Sequence, residues 1–256
     1  MRIFDTHAHY DDAAFDGDRT ELLTALHETG VERIVNMGAE IKGCEDTIAL
    51  TKQYPFVYGA LGIHPECIST MSEDIYQWLD AMLSTEKIVA VGEIGLDYHW
   101  HPEEKDLQDY WFRRQLALAR GHGLPVAIHS REAAEDTFRI LKEEHAEEIG
   151  GVIHAYSASA EMAKEYVEMS FFIGVGGVIT FKNGKKLRRV VEEIPIEHIV
   201  IETDCPYLSP EPYRGRRNDS GRLQYVASEI ATIKGMTVEE VGEITFKNGK
   251  RLYRMD

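Results

Sequence analysis

Cysteine, long apolar runs and positive charge are all scarce in this sequence. Three of its 256 residues are cysteines, and they are widely spaced. This is too few for a disulfide framework, so we expect a reduced, cytoplasmic environment. No apolar run approaches the roughly 20 residues that a membrane-spanning helix needs. The chain also lacks a basic segment followed by an apolar stretch at its start, so we expect neither secretion nor membrane insertion.

The charge balance is strongly acidic. The sequence has 28 Lys and Arg against 44 Asp and Glu, a formal net charge of -16. Shape-blind adhesion to DNA depends on a basic surface and is therefore disfavoured. A phosphate-bearing substrate is still compatible with this charge, because a local metal site reverses the field inside a cleft. We expect any nucleic acid to be gripped at such a site, and no obligate protein partner is evident.

Apolar or β-branched runs alternate with helix-patterned stretches along the whole chain. The runs predict eight strands, at residues 3–4, 33–35, 56–61, 88–94, 125–128, 151–153, 171–175 and 199–201. Helix patterns occupy most intervals and the tail, at residues 21–29, 75–83, 106–120, 133–148, 161–169, 185–193, 224–233 and 238–253. Continuous apolar strands separated by amphipathic helices predict a parallel sheet covered by helices. Eight such units in ~250 residues predict an α/β fold, a single (β/α)8 TIM-type barrel over residues 1–256 with an extra C-terminal helix.

A heptapeptide, Ile-Thr-Phe-Lys-Asn-Gly-Lys, occurs at residues 179–185 and again at 244–250. Nothing around it recurs, so it is not a fold-level repeat. Asparagine is a favoured helix N-cap. We therefore expect Asn183 and Asn248 each to cap a following helix.

The first strand is followed by a His-x-His pair. Alternate strand side chains share a face, so His7 and His9 point the same way. Neutral histidine is the commonest metal ligand, and two converging imidazoles form half of a metal site. An isolated pair is equally compatible with two histidines that hydrogen-bond their neighbours. The positions of the other candidate ligands decide between these interpretations.

The other candidate ligands, Glu93, His129, His154 and Asp204, follow four later strands. In (β/α)8 barrel enzymes, the active-site residues lie at the C-terminal ends of the strands. Six nitrogen and oxygen donors are more than one catalytic ion takes, so they suit two divalent ions that share a carboxylate and a water. Imidazole and carboxylate accept Zn, Mn or Mg, which leaves the metal open. Such ions activate water and clamp a leaving oxygen, which predicts hydrolysis at a phosphoryl or carbonyl centre.

These strand ends carry recognisable motifs. His7-Ala8-His9 is followed by Gly-Glu-Ile-Gly-Leu-Asp at 92–97, His-Ser-Arg at 129–131, His-Ala-Tyr-Ser at 154–157 and Glu-Thr-Asp-Cys-Pro-Tyr-Leu at 202–208. From the first strand to the C-terminal helix, the chain resembles the TatD-type metal-dependent deoxyribonucleases of the amidohydrolase-like barrel superfamily. The resemblance implies divalent-metal-dependent hydrolysis of DNA phosphodiesters, often from an end of a single strand.

The resemblance also implies roles for individual residues. His7 and His9 would hold one ion beside Asp204, Glu93 would bridge, and His129 and His154 would hold the second ion. Asp204 would take the proton from the attacking water, as a carboxylate beside such a water can. The catalytic residues implied are therefore Asp204, Glu93 and His64, the last facing the substrate.

Three segments depart from the family pattern. Ala-Tyr-Ser-Ala at 155–158 stands where Cys-Phe-Ser-Gly is common, Asp219-Ser220 replaces Glu-Pro, and Cys205 replaces a frequent serine. None of these changes removes a ligand, but they bear on substrate preference because we expect them to line the cleft.

Substrate contacts are predicted at six positions: His64, Arg131, Tyr156, Lys182, Arg216 and Asn218. His64 would donate to a phosphate oxygen, or be a structural loop histidine. Arg131 would bind phosphate as a bidentate donor, or form a salt bridge to a neighbouring helix. The basic loop at 213–218 would stack a base and hold its backbone, or be solvated. Lys182 follows strand seven and would also face phosphate. Asp97 and Glu202 are expected to support the metal-binding side chains without binding the metal themselves.

Two other functions remain open from the residues. The same metals on a carbonyl substrate would make the protein an amidohydrolase or lactonase. A non-catalytic metal-binding protein is disfavoured, because no ligand position holds an inert residue.

Overall fold

Residues 1–255 are described in the computed structural model, and they form eight strands and nine α-helices. The strands are β1 Ile3–Ala8, β2 Val31–Met37, β3 Val57–Leu61, β4 Ile88–Asp97, β5 Val126–Arg131, β6 Gly151–Ile153, β7 Phe171–Val175 and β8 Ile199–Ile201. The helices are α1 Arg19–Glu28, α2 Ile41–Gln53, α3 Glu73–Met82, α4 Lys105–His122, α5 Ala134–Glu143, α6 Ala160–Glu168, α7 Lys185–Glu193, α8 Leu223–Lys234 and α9 Val238–Leu252. No helix within residues 1–255 is long and apolar enough to span a membrane.

The strands form one parallel sheet in chain order from β1 to β8. Just beyond the strand ends, the chain after β8 meets the end of β1. The N–H of His9 donates to the carbonyl of Cys205, and the N–H of Asp204 donates to the carbonyl of His7, both at 2.9 Å. The predicted (β/α)8 barrel is thereby confirmed.

The barrel interior is built from alternate strand residues. One buried cluster takes at least one side chain from every strand: Phe4, Val35, Met37, Ala60, Ala90, Ala127, Val152, Phe172 and Val200. Their strand neighbours, such as Ile34, Ile128 and Ile153, belong to the layer between sheet and helices. Successive side chains of a strand point to opposite faces, so a continuous apolar run fills both layers.

The extra C-terminal helix, α9, packs against the start of the barrel. The rings of Phe246 and Tyr253 lie 5.9 and 6.0 Å from the Phe4 ring. The Tyr253 hydroxyl donates to the Thr6 carbonyl at 2.7 Å. Thr237 and Glu240 form a capping box that starts this helix. Since α9 contacts the barrel near the beginning of β1, the carboxyl ends of the strands remain available for a site.

The structure corrects three details of the predicted elements. The helix expected over 133–148 ends at Glu143, and residue His145 has a left-handed φ of 51° before a short 3-10 turn. Asn183 caps nothing, because Gly184 is the N-cap of α7 and no side chain caps it. Asn248 lies inside α9, where its amide donates to the carbonyls of Ile196 and Ile199, both at 2.7 Å.

Candidate metal centre

Three polar side chains lie at the carboxyl end of the barrel interior because side chains alternate along each strand. His129, His154 and Glu202 lie two residues beyond the interior positions 127, 152 and 200. Residues two apart in a strand share a face. These side chains therefore lie directly above the apolar interior layer, at the carboxyl ends of β5, β6 and β8.

Glu93 is the centre of the arrangement. Its Oε2 lies 3.2 Å from Nε2 of His7 and 3.6 Å from Nε2 of His9. Its Oε1 lies 3.0 Å from Nδ1 of His129 and 3.6 Å from Nε2 of His64. The two oxygens of one carboxylate thus face two separate groups of imidazoles, as a bridging ligand would.

Asp204 faces the same space from the end of β8. Its Oδ1 lies 3.4 Å from Nε2 of His9, 3.6 Å from Nε2 of His154 and 3.8 Å from Nε2 of His7. The side chain is 20% exposed, whereas that of His7 is fully buried. Asp204 therefore connects the buried ligand atoms to the cavity above them.

The donor set fits divalent cations. The Nε2 atoms of His7 and His9 lie only 3.2 Å apart, and carboxylate oxygens of Glu93 and Asp204 surround them. Neutral imidazoles and carboxylates in this orientation set acceptors against acceptors, which a cation relieves. Three groups of ligand atoms, each within 4.8 Å of one another, could hold an ion: His7, His9 and Asp204; His7, His154 and Glu202; and His64, Glu93 and His129.

Two buried carboxylates orient the imidazoles from behind. Oδ2 of Asp97 lies 2.9 Å from Nε2 of His129. Oε1 of Glu202 lies 3.0 Å from Nδ1 of His154 and accepts the N–H of Ala155 at 2.6 Å. Carboxylates behind metal-binding histidines fix the tautomer and raise the basicity of the ring. Asp97 has the supporting geometry expected of it. Glu202 lies at the right distance, but Nδ1 of His154 makes no hydrogen bond among the described residues.

The charges at the site stabilise one another. Burial opposes the charged forms of His9, His129 and His154, but nearby carboxylates outweigh it and raise the pKa of His9 and His129 to about 9 and of His154 to about 10. For His7, burial and the neighbouring charge of His154 prevail and lower the pKa. Burial likewise opposes ionisation of Glu93 and Asp204, yet the imidazoles lower the pKa of both carboxyls. A metal ion entering the site would therefore displace protons from the histidines.

Asp5 organises the site, although no role was predicted for it. Its Oδ1 accepts the N–H of Thr203 at 3.0 Å, and its Oδ2 accepts the hydroxyls of Thr203 at 2.6 Å and Ser220 at 2.7 Å. Burial raises the pKa of Asp5 to about 6. These bonds tie β1 to the segment after β8, so His7 and Asp204 are held at a fixed separation. Its place two residues before His7 on one strand was the available signal.

A cavity of about 910 Å³ opens above the ligands. His64 lines it with Nε2 towards Glu93, while its Nδ1 accepts the N–H of Glu66 at 3.1 Å. His64 thus combines the structural loop contact with an orientation towards the site, so the two alternatives do not exclude each other. Arg131 also lines the cavity, with its guanidinium 5.3 Å from the Trp100 ring centroid. Within residues 1–255 it forms no ion pair, so the salt-bridge alternative is wrong.

The other predicted substrate contacts lie away from this cavity. Asn218 is buried, and its amide donates to the carbonyls of Thr203 at 3.0 Å and Tyr207 at 2.8 Å. It therefore shapes the segment after β8, and its assignment to substrate is wrong. Tyr156 is 3% exposed, lines a neighbouring cavity and donates its hydroxyl to the Ser159 carbonyl at 2.7 Å, so the expectation that it lines the main cleft is also wrong.

The basic loop after β8 is largely engaged within the protein. Arg217 forms a bidentate pair with Asp18, at 2.7 and 2.6 Å. The Arg214 guanidinium lies 4.4 Å from the Phe181 ring centroid. Arg216 and Lys182 are exposed and do not line the cavity. The solvated-loop alternative therefore holds for Arg216, whereas Arg214 and Arg217 contact other parts of the protein, and the segment is not a preformed base-binding surface.

Comparisons with known proteins agree on one relationship. The family described as TatD related DNase matches residues 4–254. The metal-dependent hydrolase YabD of Bacillus subtilis strain 168 is 45% identical over 254 residues, covering 99% of this chain and 100% of that protein. The metal-dependent hydrolase YcfH of Escherichia coli K12 is 31% identical over 261 residues, covering 100% and 97%. The crystal structure of YjjV, a TatD homologue from Escherichia coli K12, superposes with a TM-score of 0.93 at 30% identity, covering 100% of this chain and 99% of that one.

Proposed function

The chain belongs to the TatD-related DNase family and is a metal-dependent hydrolase, and from this premise we propose that it hydrolyses DNA phosphodiester bonds. The proposed substrate is single-stranded DNA, cut from an end. The observation that carries the proposal is the position of Glu93, whose two oxygens face His7 on one side and His129 on the other, at 3.2 and 3.0 Å. This supports a pair of ions sharing one carboxylate.

The ligands divide between the two proposed ions. His7, His9 and Asp204 would hold the first, and Glu93 would bridge. The second would be held by His129 and by His154, whose Nε2 lies 3.8 Å from Oε1 of Glu93. Mixed imidazole and carboxylate donors suit Mg, Mn or Zn. Bound divalent cations of this kind supply a water nucleophile at neutral pH and neutralise charge on a phosphoryl group.

Asp204 is the proposed general base. Its carboxylate reaches the cavity, and the imidazoles that face it hold its pKa below the usual range. It is therefore deprotonated at neutral pH and free to take the proton of the attacking water. Asp97 and Glu202 act behind the ligands, where they hold the rings of His129 and His154 in place.

His64 and Arg131 are the proposed phosphate contacts. Both line the cavity. Nε2 of His64 points towards Glu93 at 3.6 Å. Because Nδ1 accepts the N–H of Glu66, Nε2 carries the ring proton and would donate to a phosphate oxygen. The guanidinium of Arg131 has no carboxylate partner among residues 1–255, and its planar fork matches two phosphate oxygens. An unpaired arginine at the mouth of an otherwise acidic site favours a phosphodiester over an uncharged carbonyl substrate.

A labelled-oligonucleotide assay tests the proposal. Single-stranded DNA labelled at either its 5′ or its 3′ end is incubated with the metal-depleted protein, with and without Mg, Mn or Zn. We expect cleavage only with added metal, and mononucleotides released from one labelled end show the polarity. Protein that binds metal but cleaves no DNA with any ion contradicts the proposal. Hydrolysis of amides or lactones under the same conditions would then identify the carbonyl alternative.

A further inference from the structure

Trp100 is a large aromatic side chain that is exposed at the cavity. It lies in the loop after β4, is 55% exposed and lines the cavity of about 910 Å³. The other two tryptophans differ, since Trp78 is half-buried on α3 and Trp111 is buried on α4. Tryptophan combines a large apolar face with a polar N–H group, and it is enriched at binding interfaces for that reason.

The loop that carries Trp100 is held in place. Oδ1 of Asp97 accepts the N–H groups of His99 and Trp100, both at 2.9 Å. The buried amide of Gln108 closes the loop, donating to the carbonyls of Asp97 at 2.9 Å and His101 at 3.1 Å. The backbone that carries the indole is therefore held in position, and little loop entropy would be lost when a ligand stacks on the ring.

Asp97 also connects this loop to the metal centre. The oxygen that does not bind the loop, Oδ2, faces Nε2 of His129 at 2.9 Å. One carboxylate thus fixes both an imidazole of the proposed metal site and the backbone of Trp100. Asp97 thus places the loop that carries the indole beside the proposed metal centre.

Arg131 lies against Trp100. Its guanidinium is 5.3 Å from the ring centroid. In the β4–β5 strand register, the backbone of residue 131 lies opposite that of Asp97. Because the arginine forms no ion pair within residues 1–255, its charge is available to a phosphate. The indole and the guanidinium together present a flat apolar surface beside an anion-binding group, which is the chemistry of a nucleotide.

The charge distribution of the cavity walls also favours binding of a nucleotide on the side of Trp100 and Arg131. Five carboxylates line the wall built after β1, β2 and β3, namely Asp11, Asp12, Glu40, Asp46 and Glu66, together with one cation, Lys42, which pairs with Asp46. The carboxylates still outnumber the cation on this wall. Among the described residues that line the opposite wall, from β5, β6 and the loop after β4, none is acidic. A polyanionic chain would be repelled by the first wall and held against the second, where Trp100 and Arg131 lie.

We propose that Trp100, with Arg131 beside it, is a stacking platform for a nucleobase adjacent to the scissile phosphate. The proposal rests on the proposed function, since it specifies how a DNA end would be bound. Stacking is sequence-tolerant because every base has a π-face. The platform should therefore require a base at the terminal nucleotide without selecting which base it is.

The test compares two small probes, 2′-deoxyadenosine 5′-monophosphate and 2-deoxyribose 5-phosphate, which differ by the base. Each is titrated into the full-length, metal-loaded protein while intrinsic tryptophan fluorescence and calorimetric heat are recorded. We expect the nucleotide to quench fluorescence saturably and to bind about tenfold more tightly than the sugar phosphate. Trp100→Ala should abolish the difference, Trp100→Tyr should retain most of it, and Trp78→Phe, a tryptophan outside the cavity, should leave it unchanged.

A kinetic arm separates this inference from the proposed function. Wild type and Trp100→Ala are assayed on oligonucleotides with a normal or an abasic end. We expect Trp100→Ala to raise KM about tenfold on the normal end and to leave the abasic substrate unaffected. If the wild type cleaves DNA and Trp100→Ala has the same KM on the normal end, the stacking platform is contradicted and the nuclease function is not. If the nucleotide quenches fluorescence but no DNA is cleaved, the nuclease function is contradicted and the stacking of a base on Trp100 is not. If neither quenching nor cleavage is observed, both proposals are contradicted.

Discussion

Replacing Asp97 with asparagine removes one charge from behind the metal centre while keeping the shape of the side chain. The carboxylate is fully buried, and its Oδ2 lies 2.9 Å from Nε2 of His129. Burial alone would raise the pKa of Asp97, but hydrogen bonds from His129 and the Trp100 N–H outweigh it and lower the pKa to about 2. Relative to the ordinary 3.8, that shift corresponds to about 2 kcal/mol.

The substitution also changes the tautomer of His129. An asparagine amide facing Nε2 donates a hydrogen bond, so the ring proton moves to Nδ1. Nδ1 is the nitrogen that faces Glu93, at 3.0 Å, and a protonated nitrogen cannot bind a metal ion. We therefore expect metal affinity at this half of the site to fall about 10- to 100-fold, and the metal-free protein to lose about 1–2 kcal/mol of its free energy of unfolding.

Calorimetric titration of the metal-depleted protein with Mn or Zn measures the affinity, and urea unfolding measures the stability. Asp80→Asn is the matched control, because Asp80 forms the same kind of pair with His122, at 2.6 Å, on the exposed surface. The control should bind metal as the wild type does. Wild-type affinity in Asp97→Asn would refute the argument that this carboxylate sets the His129 tautomer.

Three further changes probe the site and its surroundings. Asp204→Asn should fold but lower kcat by about 10²- to 10⁴-fold, measured on labelled DNA; near wild-type turnover would exclude it as the base. In the metal-free protein the pKa of His129 is raised from 6.5 to about 9, so its proton stabilises the fold fully below pH 6.5 and is lost as the pH rises through 9. The urea midpoint of metal-free protein should fall over that range, and a flat profile would contradict the assigned charges. Gly174→Ala sets a Cβ 2.5 Å from Oε2 of Glu202, so it should cost about 1–3 kcal/mol of stability and weaken metal binding in calorimetry, whereas Gly121→Ala, with open space around it, should do neither.

The strands and their ends could be predicted because each strand is an apolar run that ends at a polar residue. Buried parallel strands read as apolar runs, and the polar residue that ends each run falls at the carboxyl end of the barrel. Most of the predicted helices agree within two residues with those of the structure. No helix was assigned between the second and third strands, where α2 lies. Its buried face includes Gly43, Thr47 and Thr51, which are poor helix formers, and tertiary packing sustains it.

The ligands and the loop residues differed in how far the sequence could place them. His7, Glu93 and the other candidate ligands converge because the barrel brings every strand end to one place. Tyr156 and Asn218 also follow strands, but their polar atoms are used by the carbonyls of their own segments. Internal hydrogen bonds of this kind depend on how a loop folds back, and residue type alone does not specify them. For the same reason the sequence does not single out Trp100, since its exposure and the hydrogen bonds of its loop depend on the fold.

The dependence of DNA cleavage on bound metal tests the central claim most directly. The protein is stripped of divalent cations by chelation, and one ion, Mn or Zn, is then added back in known amounts. Cleavage of end-labelled single-stranded DNA is measured beside the number of ions bound per chain. We predict no cleavage by the stripped protein and full recovery as two ions bind. Undiminished cleavage by protein that holds no divalent cation would contradict the account.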